Sequence, residues 1–184
     1  MLRVRTIFTS ALGGSPFMNT LYFGGAGTQA NADACVADVG TFWGAVDAQM
    51  DNETSWATEA EVAEIQTSGT LTGTFATTPQ TGTGGVAGSA LPKASQGLIR
   101  LFTGAFISGR RLRGRIFVPS LTTTAINNGV LAAATVTALQ NAINALIASA
   151  NSELTIWSKT NSQTASVSSA AVWNELAVLR SRRP

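Results

Sequence analysis

Residues 6–92 contain no lysine or arginine, yet eight of the chain's ten carboxylates lie between Asp33 and Glu64. Whatever this stretch folds into must find its counter-charges elsewhere: in the ends of the chain, in another copy, or in solution. The ten basic residues from Lys93 onward meet only Glu153 and Glu175, and Arg3 and Arg5 complete the basic set. The formal net of +2 therefore conceals an interior of −8 (none basic, eight acidic) and a later part of +8 (ten basic, two acidic). Two opposed charge territories suit a repeated subunit that meets both copies of itself and a polyanion. An uneven scatter of surface charge is the plainer alternative.

Charged residues make up 12% of the 184, about half the roughly 25% usual in soluble domains. Such a chain is better suited to a surface partly buried against other subunits. The length fits one domain, residues 1–184, with enough chain for a sizeable core. There is no histidine and Cys35 is the single cysteine, which excludes an internal disulfide and argues against a zinc site. No apolar run is long enough to cross a membrane as a helix. The opening residues alternate like a strand and lack the continuous apolar stretch of a secretory signal.

Periodicity supplies the elements. Residues 2–8 put Leu2, Val4, Thr6 and Phe8 on one side and Arg3, Arg5 and Ile7 on the other, a half-buried strand. Asn19–Phe23 reads as a second strand. A helix is expected from about Thr28 or Asn31 to Met50, with Val36, Val39, Trp43, Val46 and Met50 on its apolar stripe, broadened by Cys35 and Phe42. Strands follow at 54–65 and 70–76, then a Thr/Gly-rich loop over 77–90. Strands at 97–107 and 110–118 turn at Ser108-Gly109 and stop at Pro119. A second helix spans roughly 128–150, with Leu139, Ile143, Leu146 and Ile147 on one face, and strands at 153–158 and 176–182 close the chain. The expected class is α+β, a mainly antiparallel sheet with two long amphipathic helices. A jelly-roll sandwich with helical insertions is the alternative.

The residues with most chemical character are the arginines at alternate positions. In Gly109–Pro119, Arg111, Arg113 and Arg115 share one face of an extended strand. Arg3 and Arg5 repeat the spacing, as do Arg180 and Arg182. Were these three strands neighbours, they would form a basic plate whose guanidinium forks suit phosphates, binding without regard to sequence and weakening with salt. The competing expectation pairs these arginines with the Asp33–Glu64 acids, within or between subunits. Glu59, Glu61 and Glu64 are the acids expected at a subunit interface.

Other motifs carry less. Gly25-Ala26-Gly27-Thr28-Gln29-Ala30 fits a dinucleotide-binding turn, but Asp33 would face the pyrophosphate, and a simple strand-to-helix turn is the better account. With no histidine as base and Cys35 on an apolar helix face, an enzyme is not expected. Trp43, Trp56, Trp157 and Trp173 are scattered as core or interface residues are, rather than grouped for base stacking. No cofactor is expected.

The stretch Gly-Arg-Arg-Leu-Arg-Gly-Arg-Ile-Phe-Val-Pro, the later Leu-Thr-Ile-Trp-Ser and the ending Ala-Val-Leu-Arg-Ser-Arg-Arg resemble segments of capsid (coat) proteins of small viruses and phage-like elements, chiefly over residues 97–184. The resemblance implies a virion protein that self-assembles as a large homo-oligomer around a nucleic-acid genome, without a membrane partner and with no catalytic residue. Many such proteins hold the genome with a long basic N-terminal arm; this sequence shows none, which shifts the expected contact to the folded arginine face. A tail-tube, connector or filament subunit and a cellular nucleic-acid-binding module are the alternatives.

Overall fold

The computed structural model describes residues 2–11, 16–23, 28–63, 71–74, 77–87, 97–107, 110–122, 125–127, 130–149, 154–157 and 164–173. Strand β1 (Leu2–Ser10) follows its period-two sequence: Leu2, Val4, Thr6 and Phe8 are buried, while Arg3, Arg5, Ile7 and Thr9 take the other side. It lies between β2 (Phe17–Phe23) and β3 (Thr54–Ala63), antiparallel to both. Asn19 and Thr58 sit beside Thr6 in this register, so the core side of the three strands carries a short polar row.

Helix α1 (Gln29–Val46) connects β2 to β3. It starts where the Thr28 hydroxyl accepts the Asn31 N–H at 3.2 Å, satisfying one of the donors a helix start leaves open. Cys35, Val36, Val39, Phe42, Trp43 and Val46 are buried, the stripe expected from their spacing. Trp43 is fully enclosed, edge-on to Phe8 of β1 at 4.6 Å and to Phe42 at 4.8 Å. A 3-10 turn, Asp47–Gln49, extends the helix and brings the Asp47 carboxylate to the Trp56 indole, which donates to it at 2.6 Å.

Two short strands, β4 (Leu71–Thr74) and β5 (Thr81–Thr83), both pair with β3. The stretch 77–90, expected to be a loop, thus contains a strand. Gly82 makes this possible: a Cβ there would stand 2.6 Å from the Trp56 ring.

The later half contributes the hairpin β6 (Gly97–Ile107) and β7 (Arg110–Val118), with the bounds expected from the turn at Ser108-Gly109. A two-stranded pair follows, β8 (Ile126–Asn127) and β9 (Val130–Leu131), and β9 occupies residues expected to start the second helix. Helix α2 begins only at Ala133 and runs to Ala148. It buries Leu139, Ile143 and Leu146 and is tied to α1, where the Ser149 hydroxyl donates to Asp38 at 2.5 Å. Strands β10 (Leu154–Trp157) and β11 (Thr164–Trp173) finish the described chain. The strand expected at 176–182, with Arg180 and Arg182, lies outside the described residues.

All strands but β8 and β9 form one nine-stranded antiparallel sheet in the order β4-β3-β1-β2-β10-β11-β6-β7, with β5 also on β3. This is the α+β arrangement: a single antiparallel sheet with two helices, rather than a jelly roll. Short β10 joins an early half of the sheet to a late half. The free side of β7 returns toward β2, where the Asn19 carboxamide acts as a strand would. It donates to the Phe117 carbonyl at 2.6 Å and accepts the Phe117 N–H at 3.0 Å. Among the described residues, no helix is long and apolar enough to cross a membrane.

Candidate nucleic-acid interface

The sheet order separates the arginines that the sequence grouped. Between β1 and β7 stand β2, β10, β11 and β6, because β3 and β2 take both edges of β1 and β10 follows β2. Strands β1 and β7 are therefore not hydrogen-bonded neighbours, although the Asn19 contact brings the free side of β7 to β2, the strand beside β1.

On β1, register places Arg3 opposite Glu61 and Arg5 opposite Glu59. Arg3 pairs with Glu61, and Arg5 pairs with Glu61 and, at 2.6 Å, with Glu59. The Glu61 side chain is only 8% exposed, held by two guanidinium groups, whereas that of Glu59 is 41% exposed. Burial works against the charge on Arg3, but the hydrogen bond and negative charge of Glu61, with help from Tyr22, hold its pKa above the ordinary value. These four residues thus answer one another within one chain. For Arg3 and Arg5 this is the competing expectation, pairing with acids of the Asp33–Glu64 stretch. A buried carboxylate with two internal partners has no need of an external one. Glu59 keeps an open side, and Glu64 lies outside the described residues.

The strands of the late half of the sheet differ in composition. Strands β6, β7 and β11 contain Arg100, Arg110, Arg111, Arg113 and Arg115 and not one carboxylate. Strands β1 to β4 together carry two arginines and two glutamates. One end of the sheet is neutral and the other carries five positive charges. The ion pairs of Arg3 and Arg5 with Glu59 and Glu61 belong to the neutral end.

Register sharpens the imbalance. Arg100 of β6 is the cross-strand partner of Arg115, with Phe102 opposite Arg113 and Phe106 opposite Arg111. Residues directly opposite in an antiparallel pair share a face, and like charges so placed oppose pairing. Arg115 is exposed and Arg100 half-buried. Arg100 was not among the residues singled out from sequence. A lone arginine in an otherwise apolar strand is a weak signal, and its partner depends on a register shift between Phe102 and Phe106.

The described residues offer little for catalysis. No group of three His, Cys, Asp or Glu residues among them is placed to hold a metal ion. Cys35 is buried, and burial first, then the Asp38 charge, pushes its thiol up to about 12. We expect the native protein at mildly alkaline pH to resist a disulfide-exchange reagent and to react fully once unfolded in urea. Rapid modification of the native form would contradict this packing.

Asp47 supplies a pH-dependent term. Burial raises its carboxyl pKa, and the Trp56 hydrogen bond only partly opposes that. A raised folded-state value means the ionised form is disfavoured on folding. The cost is therefore present above the folded pKa and fades as pH falls through it toward the ordinary 3.8. Asp47→Asn keeps an acceptor for Trp56 without the charge. Its urea midpoint should equal or exceed that of the parent at neutral pH, with the difference closing toward acid. A substantially weaker variant at neutral pH would reverse the sign.

No protein-family model, no curated protein and no solved structure matches this chain.

Proposed function

We propose that this chain is a coat (capsid) subunit that assembles with copies of itself around nucleic acid, turning the basic half of its sheet toward phosphates. The observation that carries this reading is the segregation of charge across one continuous sheet. The glutamates on β3 are matched by Arg3 and Arg5, while β6, β7 and β11 hold five arginines and no acid. The register sets Arg100 beside Arg115 and so gathers positive charge on this hairpin. Phosphate is the anion that guanidinium forks fit best, and a polyanion satisfies several at once.

Self-assembly is supported by the low charge content of 12% and by exposed acids far from the basic strands in sequence, Asp33 on α1 and Glu53 in the turn before β3. A closed shell repeats each weak contact between copies many times, so pairs worth about 0–1 kcal/mol each suffice in number. The test is sizing and negative-stain imaging of the full chain purified from expressing cells. Closed shells that contain nucleic acid are the expected result. Rings or tubes would move the reading to a connector or tube subunit. A strict monomer at high concentration across a range of salt would overturn it.

A further inference from the structure

Resting on that reading, we infer that copies of this chain meet through the outer face of β2, β1, β3 and β5, where an uncharged panel packs on the same panel of a second copy. Register lays two rows of side chains across these strands, on the face opposite the one that Phe8 presents to Trp43. One row runs Met18, Ile7, Ala57 and Thr81, and the next runs Thr9, Ser55 and Thr83. Ile7 and Ala57 are half-buried and the other five are exposed. Met18, at 52%, is the large apolar side chain most open to solvent among the described residues. A shallow groove crosses the panel from β1 to β5.

Charge selects a second copy as the occupant. The panel carries no charged residue, and none occurs anywhere from residue 65 to residue 92, so a polyanion finds nothing to bind there. The next row, Thr20, Arg5 and Glu59, bounds it. The Arg5 and Glu59 side chains are paired with each other, yet 30% and 41% exposed. A rim with one charge of each sign is self-complementary. About a two-fold axis, Arg5 of one copy can face Glu59 of the other, and symmetry forms the same pair again. An uncharged centre with a polar rim is also the common build of a subunit contact. Area sets its strength. Four strands about 4.8 Å apart and two rows about 6.8 Å apart cover roughly 260 Å². That is about a third of the ~800 Å² per partner in a stable complex of standard size. The panel is too small to hold a free dimer and suits a contact that a shell repeats.

The test uses the full chain, with particles quantified by sizing and negative stain. Met18→Glu and Thr83→Lys each put a charge at an exposed position, so the urea midpoint should stay that of the parent. The share of subunits in particles should fall at least about tenfold, because every contact would bury an unpaired charge. Ala57→Cys probes the contact without destroying it. Ala57 lies near the middle of the panel and Cys35 is buried, so a short bis-maleimide added to assembled particles should join copies through position 57. Normal particle yield from both charged variants would overturn this inference and leave the coat-subunit reading standing. So would the absence of covalent dimers from assembled Ala57→Cys chains, the result if nucleic acid or a different surface of the neighbour covers the panel. An unsubstituted chain that stays monomeric would overturn the coat-subunit reading itself.

Discussion

Replacing Glu61 by Gln is expected to lower the unfolding free energy by about 3 kcal/mol, because it leaves two partly buried guanidinium groups facing a neutral amide. The same change at Glu59 should cost about 0–1 kcal/mol. The two acids lie two residues apart on β3 and touch the same arginine. They differ in burial, at 8% and 41% side-chain exposure, and in partners, Arg3 and Arg5 for Glu61 against Arg5 for Glu59. Urea unfolding at neutral pH measures both. Similar small losses would mean that Glu61 is solvated and that Arg3 and Arg5 are available to other partners. The unequal result would mean that charge reversal at position 61 damages folding before it can report on assembly, so Glu59 is the better probe of subunit contact.

Trp43→Ala should cost about 3–5 kcal/mol, the range for emptying a large aromatic site in a packed core. Trp43 is wholly buried between Phe8 and Phe42 and so joins α1 to β1. Trp43→Phe should cost much less. It keeps most of the ring volume and removes an indole N–H that has no hydrogen-bond partner among the described residues. A loss under about 1 kcal/mol for the alanine variant would contradict the burial of this ring. Comparable denaturant slopes would confirm that the native state, not the unfolded one, has changed.

How much of this was legible in the sequence depends on how local each cause is. The β6–β7 hairpin follows from Ser108-Gly109 and Pro119, short-range signals that set its ends. The apolar face of α1 follows from a spacing of three and four over five turns. By contrast, β11 reads Thr-Ala-Ser-Val-Ser-Ser-Ala-Ala-Val-Trp, too rich in small residues to announce a strand; its place comes from pairing with β6 and β10. Strands β8 and β9 have two residues each, too short for any period to appear.

The site divides the same way. That Arg111, Arg113 and Arg115 share a face needs only the alternation of one strand. That Arg3 and Arg5 find Glu61 and Glu59 needs the register of strands more than fifty residues apart, which local pattern does not contain. Arg100 lies between these cases. A hairpin closed at Ile107 and Arg110 with unbroken register would put it opposite Phe117. The shift between Phe102 and Phe106 instead sets it against Arg115, on the same face but beside another positive charge.

The central claim is that the arginines of β7 hold packaged phosphate. It is tested most directly by the nucleic-acid content of particles made from the Arg111→Gln, Arg113→Gln, Arg115→Gln chain. Ultraviolet absorbance gives that content, and the salt dependence of nucleic-acid binding is measured alongside. Shells should still form but hold less nucleic acid, and the slope of log affinity against log salt should flatten by about 2–3 for three lost phosphate contacts. Particles with a full nucleic-acid complement and an unchanged slope would contradict the claim.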